Sequence, residues 1–462
     1  MKRFISLIAA GLLLGLPALA LAEDAPVSEI AYILNTFSFL MTGALVMWMA
    51  AGFAMLEAGL VRSKNVATIC LKNIALFGVA GILYYLIGYK LMYSGVDGGW
   101  IGSLGIWGPD DAAAAAGDFS GKYATASDWF FQMVFCGAAC SVVSGCVAER
   151  TKLWPFMAFC VVLTGVIYPI TGSWVWGGGW LTGMGFKDYA GSTLVHSVGG
   201  WAALTGALIV GARKGKYGKE GRINPMPGSN IPLATLGTFI LWMGWYGFNG
   251  GSVLSLGSAA SAIEMSNVFV NTNLGACGGM IAAMILVQLL YKKVDVTMAL
   301  NGALAGLVSI TAGPQTPSPG AAVLIGAVGG VLVVFAVPFF DKLKIDDVVG
   351  ALSVHLACGI WGTMAVPFTN ADASFLTQAI GVAAVGAFVL VTSALCWLAL
   401  KYTVGIRCSA DDELRGLDVA EIGLEAYPDF QRINIGGVGV GSSLGGAPVS
   451  AARVMTEPVK QA

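Results

Sequence analysis

The feature that most limits this chain is a succession of apolar stretches, each about as long as a bilayer is thick. A helix needs about 20 apolar residues to cross a hydrocarbon core of about 30 Å. Eleven such runs follow one another, at roughly 30–60, 68–93, 126–148, 153–172, 189–212, 231–251, 268–290, 296–312, 320–340, 348–367 and 375–404. Only 11% of the 462 residues are charged and 56% are hydrophobic, whereas a soluble protein carries about 25% charge. The sequence predicts an all-α, polytopic membrane protein of eleven transmembrane helices. Its 64 glycines suit helices that pack closely through small residues.

The formal net charge of −1 says nothing about partners, but the placement of charge orients the bundle. Arg62 and Lys64, Arg150 and Lys152, the cluster from Arg213 to Arg222, Lys292 and Lys293, and Lys342 and Lys344 fall in alternate loops. The opposite loops hold Lys122 and Lys187. Positive residues stay on the cytoplasmic side, which predicts an N-terminus outside and a C-terminus in the cytoplasm. Residues 1–22 read as a signal peptide: Lys2 and Arg3 lead, an apolar run from Ile5 to Leu16 follows, and Ala20-Leu21-Ala22 forms a small-x-small site. An uncleaved first helix is the alternative, but the run is short for a span. The expected division is a signal peptide at 1–22, a transmembrane domain at 23–404 and a cytoplasmic tail at 405–462, Gly-, Ser- and Ala-rich and disordered from Gly436. The loop at about 94–125, rich in Gly, Ala and Asp, is expected to fold over the outer face.

Two stretches stand out within the spans. DYAGSTLVHSVGG, Asp188 to Gly200, and DVVGALSVHLACG, Asp347 to Gly359, align without gaps. They share Asp188 with Asp347, Gly191 with Gly350, Val195 with Val354, His196 with His355, and Gly200 with Gly359. The sequence contains only two histidines, and both occupy this frame. Asp is a good helix N-cap, and eight helical residues carry each histidine about 12 Å past its aspartate. By the charge pattern, span five enters from outside and span ten from inside. The repeat is therefore inverted, spans one to five against six to ten, and both histidines are expected near the midplane. Inverted repeats place substrate sites at that depth, and an ionisable residue there is a functional candidate. An inert reading, each histidine bonded to a neighbouring helix, suits one such residue better than two. A facing pair offers one nitrogen as donor and another as acceptor, and dry surroundings oppose a lasting positive charge on it.

Other constellations are weaker. The nine cysteines sit mostly in apolar runs and read as small packing residues; they form no CxxC and no metal-ligand spacing. Phe130, Phe131 and Phe135, then Trp174, Trp176 and Trp180, then Trp242, Trp245, Tyr246 and Phe248 are either interfacial anchors or the wall of a cation–π pocket at an outer mouth. Glu57 and Glu149 are expected to pair locally with Arg or Lys. No P-loop, nucleophile elbow or metal-hydrolase motif is present, so the chain does not read as an enzyme.

DYAGSTLVH, the VH-x-x-CG-x-WG run from Val354, GFAMLEAGLVRSKN, GWYGFNGGS and VAER resemble the ammonium transporter family, over about residues 30–425. That resemblance implies the eleven-helix inverted-repeat fold, a homotrimer with one pore per subunit, and no cofactor. It implies an outer ammonium recruitment site of Trp176, Phe135 and Ser252, supported by Asp188 without direct contact to the cation. Phe135 and Phe248 would stack as a gate, His196 and His355 would line an apolar pore, and Asp347 would be the repeat counterpart of Asp188. GLDVAEIGLEAY, Gly416 to Tyr427, resembles the family's C-terminal region, which in many bacterial members meets a PII-type signal protein; no nucleic-acid partner is implied. Two departures are Leu356, where the family usually has Gly, and Gly350, where some bacterial members have a further acid.

The expected function is transport of ammonium, with methylammonium as an analogue, across the cytoplasmic (inner) membrane. Ammonium would be deprotonated at the mouth and conducted as ammonia past the histidines. A sensor signalling through its cytoplasmic segment is the alternative, which a large fused signalling domain would favour and this short tail does not. A channel for another small neutral molecule fits the dry pore but not the Trp176 and Ser252 pocket.

Overall fold

The computed structural model describes residues 27–428. The compact unit ends at Ala426, and a second begins at Tyr427. The expected signal peptide and the tail from Gly436 lie outside the described residues. Helices account for most of the compact unit. Among the described residues the only β-pairings are isolated bridges, Thr151 with Arg407 and Tyr217 with Ile223.

Eleven apolar helices follow in order: α1 Glu29–Leu60, α2 Ser63–Tyr93, α3 Thr125–Cys146, α4 Leu153–Ser173, α5 Ser192–Val210, α6 Ile231–Gly251, α7 Ala259–Tyr291, α8 Val296–Ile310, α9 Pro319–Lys342, α10 Leu352–Phe368 and α11 Phe375–Thr403. Among the described residues, nine are long and apolar enough to cross a membrane, and α8 and α10 are shorter. The 15 residues of α8 rise about 22 Å, less than a bilayer core. Both short helices are largely buried, so lipid does not set their length. The lipid-facing surface is carried by side chains such as Ile33, Phe37, Leu236, Phe239, Ile285 and Leu395, all exposed. Exposed apolar surface of this extent belongs in a membrane. Two short helices, α12 Ala410–Arg415 and α13 Leu417–Ile422, complete the unit.

The halves meet where an inverted repeat requires. α1 lies along α6, and α5 along α10. The first contact is nearly backbone on backbone: a Cβ added at Gly237 of α6 would lie 2.3 Å from the Leu56 amide nitrogen of α1. Close approach of this kind replaces the hydrophobic drive that lipid removes. The second contact includes a hydroxyl bond, Thr193 Oγ1 to Thr363 Oγ1 at 2.6 Å. α11 packs outside the repeat, chiefly on α5.

Helix boundaries differ from expectation where polar capping outweighs hydropathy. α7 starts at Ala259, well before 268, because Ser258 and Ser261 form a reciprocal capping box. Its first turns carry Glu264, which accepts from the Tyr189 hydroxyl at 3.0 Å. The expected starts at 189 and 348 become Ser192 and Leu352. The loop after α2 folds back on the helix ends: the Trp107 amide donates to Tyr85 O at 3.0 Å, and the Trp107 ring stacks on Trp129 at 5.2 Å.

One face of the bundle gathers the basic residues, and there Glu149 departs from a local pairing. It binds Arg62 and Arg213 rather than the adjacent Arg150. Arg213 also holds Asp346, Nε to Oδ2 at 2.8 Å. Arg150, fully buried, donates to the carbonyls of Cys146 at 2.6 Å and Asp346 at 2.7 Å. This network ties the ends of α1, α3 and α5 to the turn before α10. Onto the same face dock α12 and α13. Asp418 accepts from the Ala67 and Thr68 amides at the start of α2, and Glu421 from the Leu153 amide at the start of α4. Carboxylates are favourable at helix N-termini. The segment after Lys401 is therefore held against the bundle through this stretch.

Burial alone would push the Asp346 carboxyl up. The hydrogen bonds from Arg213 and the nearby charges of Arg150 and Arg213 outweigh it and hold the group well below its ordinary 3.8. A depressed carboxyl contributes stability above its unfolded pKa, lost as pH falls through the folded value. Asp346→Asn should therefore cost about 3–5 kcal/mol at neutral pH, the scale for breaking a buried ion pair. In thermal unfolding of the detergent-solubilised protein, the gap from native should narrow below about pH 4.

Candidate functional site

The site is built from the start of α5. The Asp188 carboxylate accepts four amide hydrogen bonds, from Gly191 at 3.1 Å, Ser192 at 2.8 Å, Thr193 at 2.9 Å and Leu194 at 2.8 Å. Those are the orphan donors of a helix start, gathered by one side chain. The turn is possible because Gly191 takes φ +111°, a conformation that costs a residue with a Cβ dearly. The first helical residues, Ser192–Ser197, form a π-turn, in which the His196 amide donates to Gly191 O at 3.0 Å. The eight residues from Asp188 to His196 are thus not a continuous α-helix. π-turns recur at functional sites.

α10 repeats the construction. Asp347 accepts from the Ala351 amide at 3.0 Å and the Leu352 amide at 2.7 Å. Gly350 takes φ +84°, and Leu352–Ala357 is again a π-turn. Gly350 answers one of the two departures: a Cβ there would meet Asn301 Nδ2 at 2.8 Å. Leu356 answers the other, since Gly200 faces it, where an added Cβ would lie 2.7 Å from the Leu356 Cβ.

The two histidines meet, nitrogen to nitrogen. His355 Nδ1 and His196 Nδ1 are 3.2 Å apart, with ring centroids 5.2 Å apart and planes at 24°. Both rings are buried. For the bond to form, one Nδ1 donates and the other accepts, so the two neutral rings are opposite tautomers. His196 Nε2 has no partner within the protein.

Aromatic rings continue the line away from the basic face. His196 stacks on Trp245 at 4.8 Å and on Phe248 at 5.2 Å. Phe248 stacks on Phe135 at 4.1 Å, and Phe135 meets Trp176 edge-on at 6.2 Å. Beyond them opens a cavity of about 330 Å³ lined by Phe135, Trp176 and Ser252, with Asp128 and Tyr189 at its wall. The Trp176 indole donates to Asp188 O at 2.9 Å, so one aspartate fixes both the ring and the start of α5. The Ser252 hydroxyl donates to Phe248 O at 2.9 Å, which leaves its oxygen able to accept. On the other side of the histidines a small cavity touches His355, Asn301, Val349 and Gly350. The last three also line a 210 Å³ cavity with Arg213 and Asp347 on the basic face.

The structure thus brings together Trp176, Phe135 and Ser252, with Asp188 beside them, then Phe248, His196 and His355 in one line, with Asp347 at the far end. Sequence reasoning left Trp245 among rings that were either interfacial anchors or a cation–π wall, and the resemblance made Phe248 a gate residue; both are fully buried. Their spacing of three on α6 was the available signal, since it places them on one helix face. Phe53, 6.1 Å from His355, was not singled out. Glu57 pairs with neutral donors, Asn73 Nδ2 and Ser144 Oγ, each at 2.9 Å, not with Arg or Lys. No cluster of His, Cys, Asp or Glu that could hold a metal occurs among the described residues.

Four amides depend on Asp188 and two on Asp347. A buried donor left unsatisfied costs about 1–3 kcal/mol. In thermal unfolding, Asp188→Ala should therefore be destabilised clearly more than Asp347→Ala, by a margin of about 2 kcal/mol or more.

Known proteins agree with this architecture. The family profile described as Ammonium Transporter Family matches residues 37–427. Ammonium transporter Amt2 of Archaeoglobus fulgidus is 40% identical over 423 residues, covering 85% of this chain and 87% of the relative. Among solved structures, one titled Sensor Amt Protein superposes with a TM-score of 0.80 at 35% identity, over 85% of this chain and 99% of that one. Mep2 of Saccharomyces cerevisiae superposes with a TM-score of 0.73 at 25% identity, over 82% and 90%. With the profile spanning most of its length and relatives this similar, the chain belongs to the ammonium transporter family.

Proposed function

We propose that the protein carries ammonium across the cytoplasmic (inner) membrane, with the basic face in the cytoplasm and the Trp176 cavity outside. The observation that carries this reading is the buried histidine pair, His196 to His355 at 3.2 Å, closed off from the cavity by stacked Phe135 and Phe248. In the cavity, Trp176 and Phe135 offer π faces to a cation, and the Ser252 oxygen accepts one of its N–H bonds. Asp188 holds Trp176 through its carbonyl and stays out of contact with the ion. Asp347 plays the matching structural part at the other end.

Past the phenylalanines the surroundings turn apolar, and a bare cation there costs many kcal/mol. Ammonium escapes this cost by giving up a proton, and ammonia then passes rings that can both donate and accept. K⁺ has no proton to lose and stays out. Methylammonium has the same N–H chemistry and serves as an analogue. This reading assembles three copies as a homotrimer, each with its own pore, and puts a PII-type signal protein at the cytoplasmic face beside α12 and α13. It assigns the chain no catalysed reaction and no cofactor.

A second reading, an ammonium sensor signalling through its cytoplasmic segment, is favoured by the solved relative titled Sensor Amt Protein. Methylammonium uptake into sealed vesicles, with and without a membrane potential, separates the two. A transporter gives saturable uptake that excess ammonium suppresses and K⁺ does not, whereas a pure sensor gives none above empty vesicles. In the same assay, His196→Ala or His355→Ala should change the ammonium rate at least tenfold or admit K⁺. Normal ammonium rates with K⁺ still excluded would remove the histidines from the mechanism.

A further inference from the structure

Glu57 is a carboxylate buried near the end of α1 that the account so far leaves without a task. It is 1% exposed. One oxygen, Oε2, accepts from Asn73 of α2 and Ser144 of α3. The other, Oε1, is buried and has no partner. Leaving a buried acceptor unmatched is costly, and a merely structural carboxylate would be better replaced by an apolar side chain. Lys72 on α2 makes no hydrogen bond to this oxygen; its Nζ donates to Thr151 O at 2.8 Å.

Glu57 does not face lipid or a sealed core. It lines the small cavity that also touches His355, together with Ser141 and Asn301. The cavity measures about 10 Å³, barely the room one water needs. Most of its wall is apolar, and Glu57, Ser141, Asn301 and His355 are the polar side chains on it that offer such a water partners. Helix geometry gives the same placement independently. Phe53, one turn earlier on α1, lies against the His355 ring at 6.1 Å. Residues four apart share a face, so Glu57 sits about 6 Å further toward the basic face. His355 has its Nδ1 engaged by His196, which leaves Nε2 as the nitrogen for another partner.

We propose that Glu57 is the proton-exchange group on the basic-face side of the histidine pair, joined to His355 through one water in this cavity. The inference rests on the ammonium-transport reading and deepens it. At the phenylalanine gate, with the two rings parted, an N–H bond of ammonium breaks and the proton bonds to His196 Nε2. His196 passes its Nδ1 proton to His355 Nδ1, and His355 releases its Nε2 proton to the water. The water delivers a proton to Glu57 Oε1, which becomes a carboxylic acid. The acid then yields that proton to ammonia that reaches this small cavity, and the ammonium formed leaves through the 210 Å³ cavity on the basic face. One proton and one ammonia have crossed by separate routes, and every group except the two histidines' tautomers is restored. Reversal of those tautomers completes the cycle.

The test is the ammonium-evoked current in proteoliposomes, native protein against Glu57→Gln. Glutamine keeps the acceptor for Asn73 and Ser144 but takes up no proton. The expected result is a native current reduced at least tenfold in Glu57→Gln, with Glu57→Asp retaining part of it and shifting its pH profile. A Glu57→Gln current within twofold of native overturns the proposal while leaving the transport reading intact. Absence of any flux in native vesicles overturns both. If Glu57→Gln fails to reach the membrane, Glu57→Asp decides, because its carboxylate is drawn back from the cavity: an unchanged current with an unchanged pH profile overturns the proposal. A merely structural role predicts lower protein yield with an unaltered pH profile per molecule.

Discussion

Placing an ionisable ring at bilayer depth is unfavourable, and this chain does so twice at one point. The cost is contained because each imidazole satisfies the other, Nδ1 to Nδ1 at 3.2 Å, with Trp245 and Phe248 stacked against the pair. For the rings to meet, two helices must start at matching depths from opposite faces. Each start is fixed by an aspartate that collects the first free amides, and by a glycine whose φ no other residue adopts comfortably. The π-turns that follow aim the rings. α1 and α6 pack close enough, through Gly52, Gly59 and Gly237, to bring Phe53 and Trp245 against the histidines from either side.

On the proposed reading, the same arrangement makes the passage discriminate by chemistry rather than size. The cavity beyond Phe135 can hold a cation because π faces and a hydroxyl oxygen replace part of its water. The stretch beneath offers hydrogen-bond partners but no compensating carboxylate in contact. On that proposal, a molecule that can shed its charge has a route, and one that cannot has none. The basic-face network serves a different end. Glu149, Arg213 and Asp346 are buried and ion-paired, and they clamp the turn that launches α10.

Much of this was legible before any coordinates. The two aligned frames, Asp188 to Gly200 and Asp347 to Gly359, carry the repeat, the caps and the histidines in one pattern, because capping and turn chemistry are local properties of a few residues. The eleven spans were readable because hydropathy is summed over many residues. What escaped was set by packing between distant segments. α7 begins early because two serines outweigh its polar first turns. Glu57 finds Asn73 and Ser144 rather than a cation, since only the fold brings α1, α2 and α3 together there. Trp245 stayed open between interface anchor and cation–π wall, because sequence does not reveal that its indole donates to Thr311 at 2.8 Å while its ring covers His196.

The central claim is that two neutral imidazoles share a hydrogen bond inside a dry conduit. Because the sequence holds only two histidines, labelling histidine nitrogen with ¹⁵N reports on this pair alone. Solid-state NMR of the protein in lipid bilayers should show one protonated and one bare Nδ1, with a correlation across the hydrogen bond between them. Two Nδ1 sites of the same protonation state, or rings in contact with lipid chains and not with each other, would contradict it.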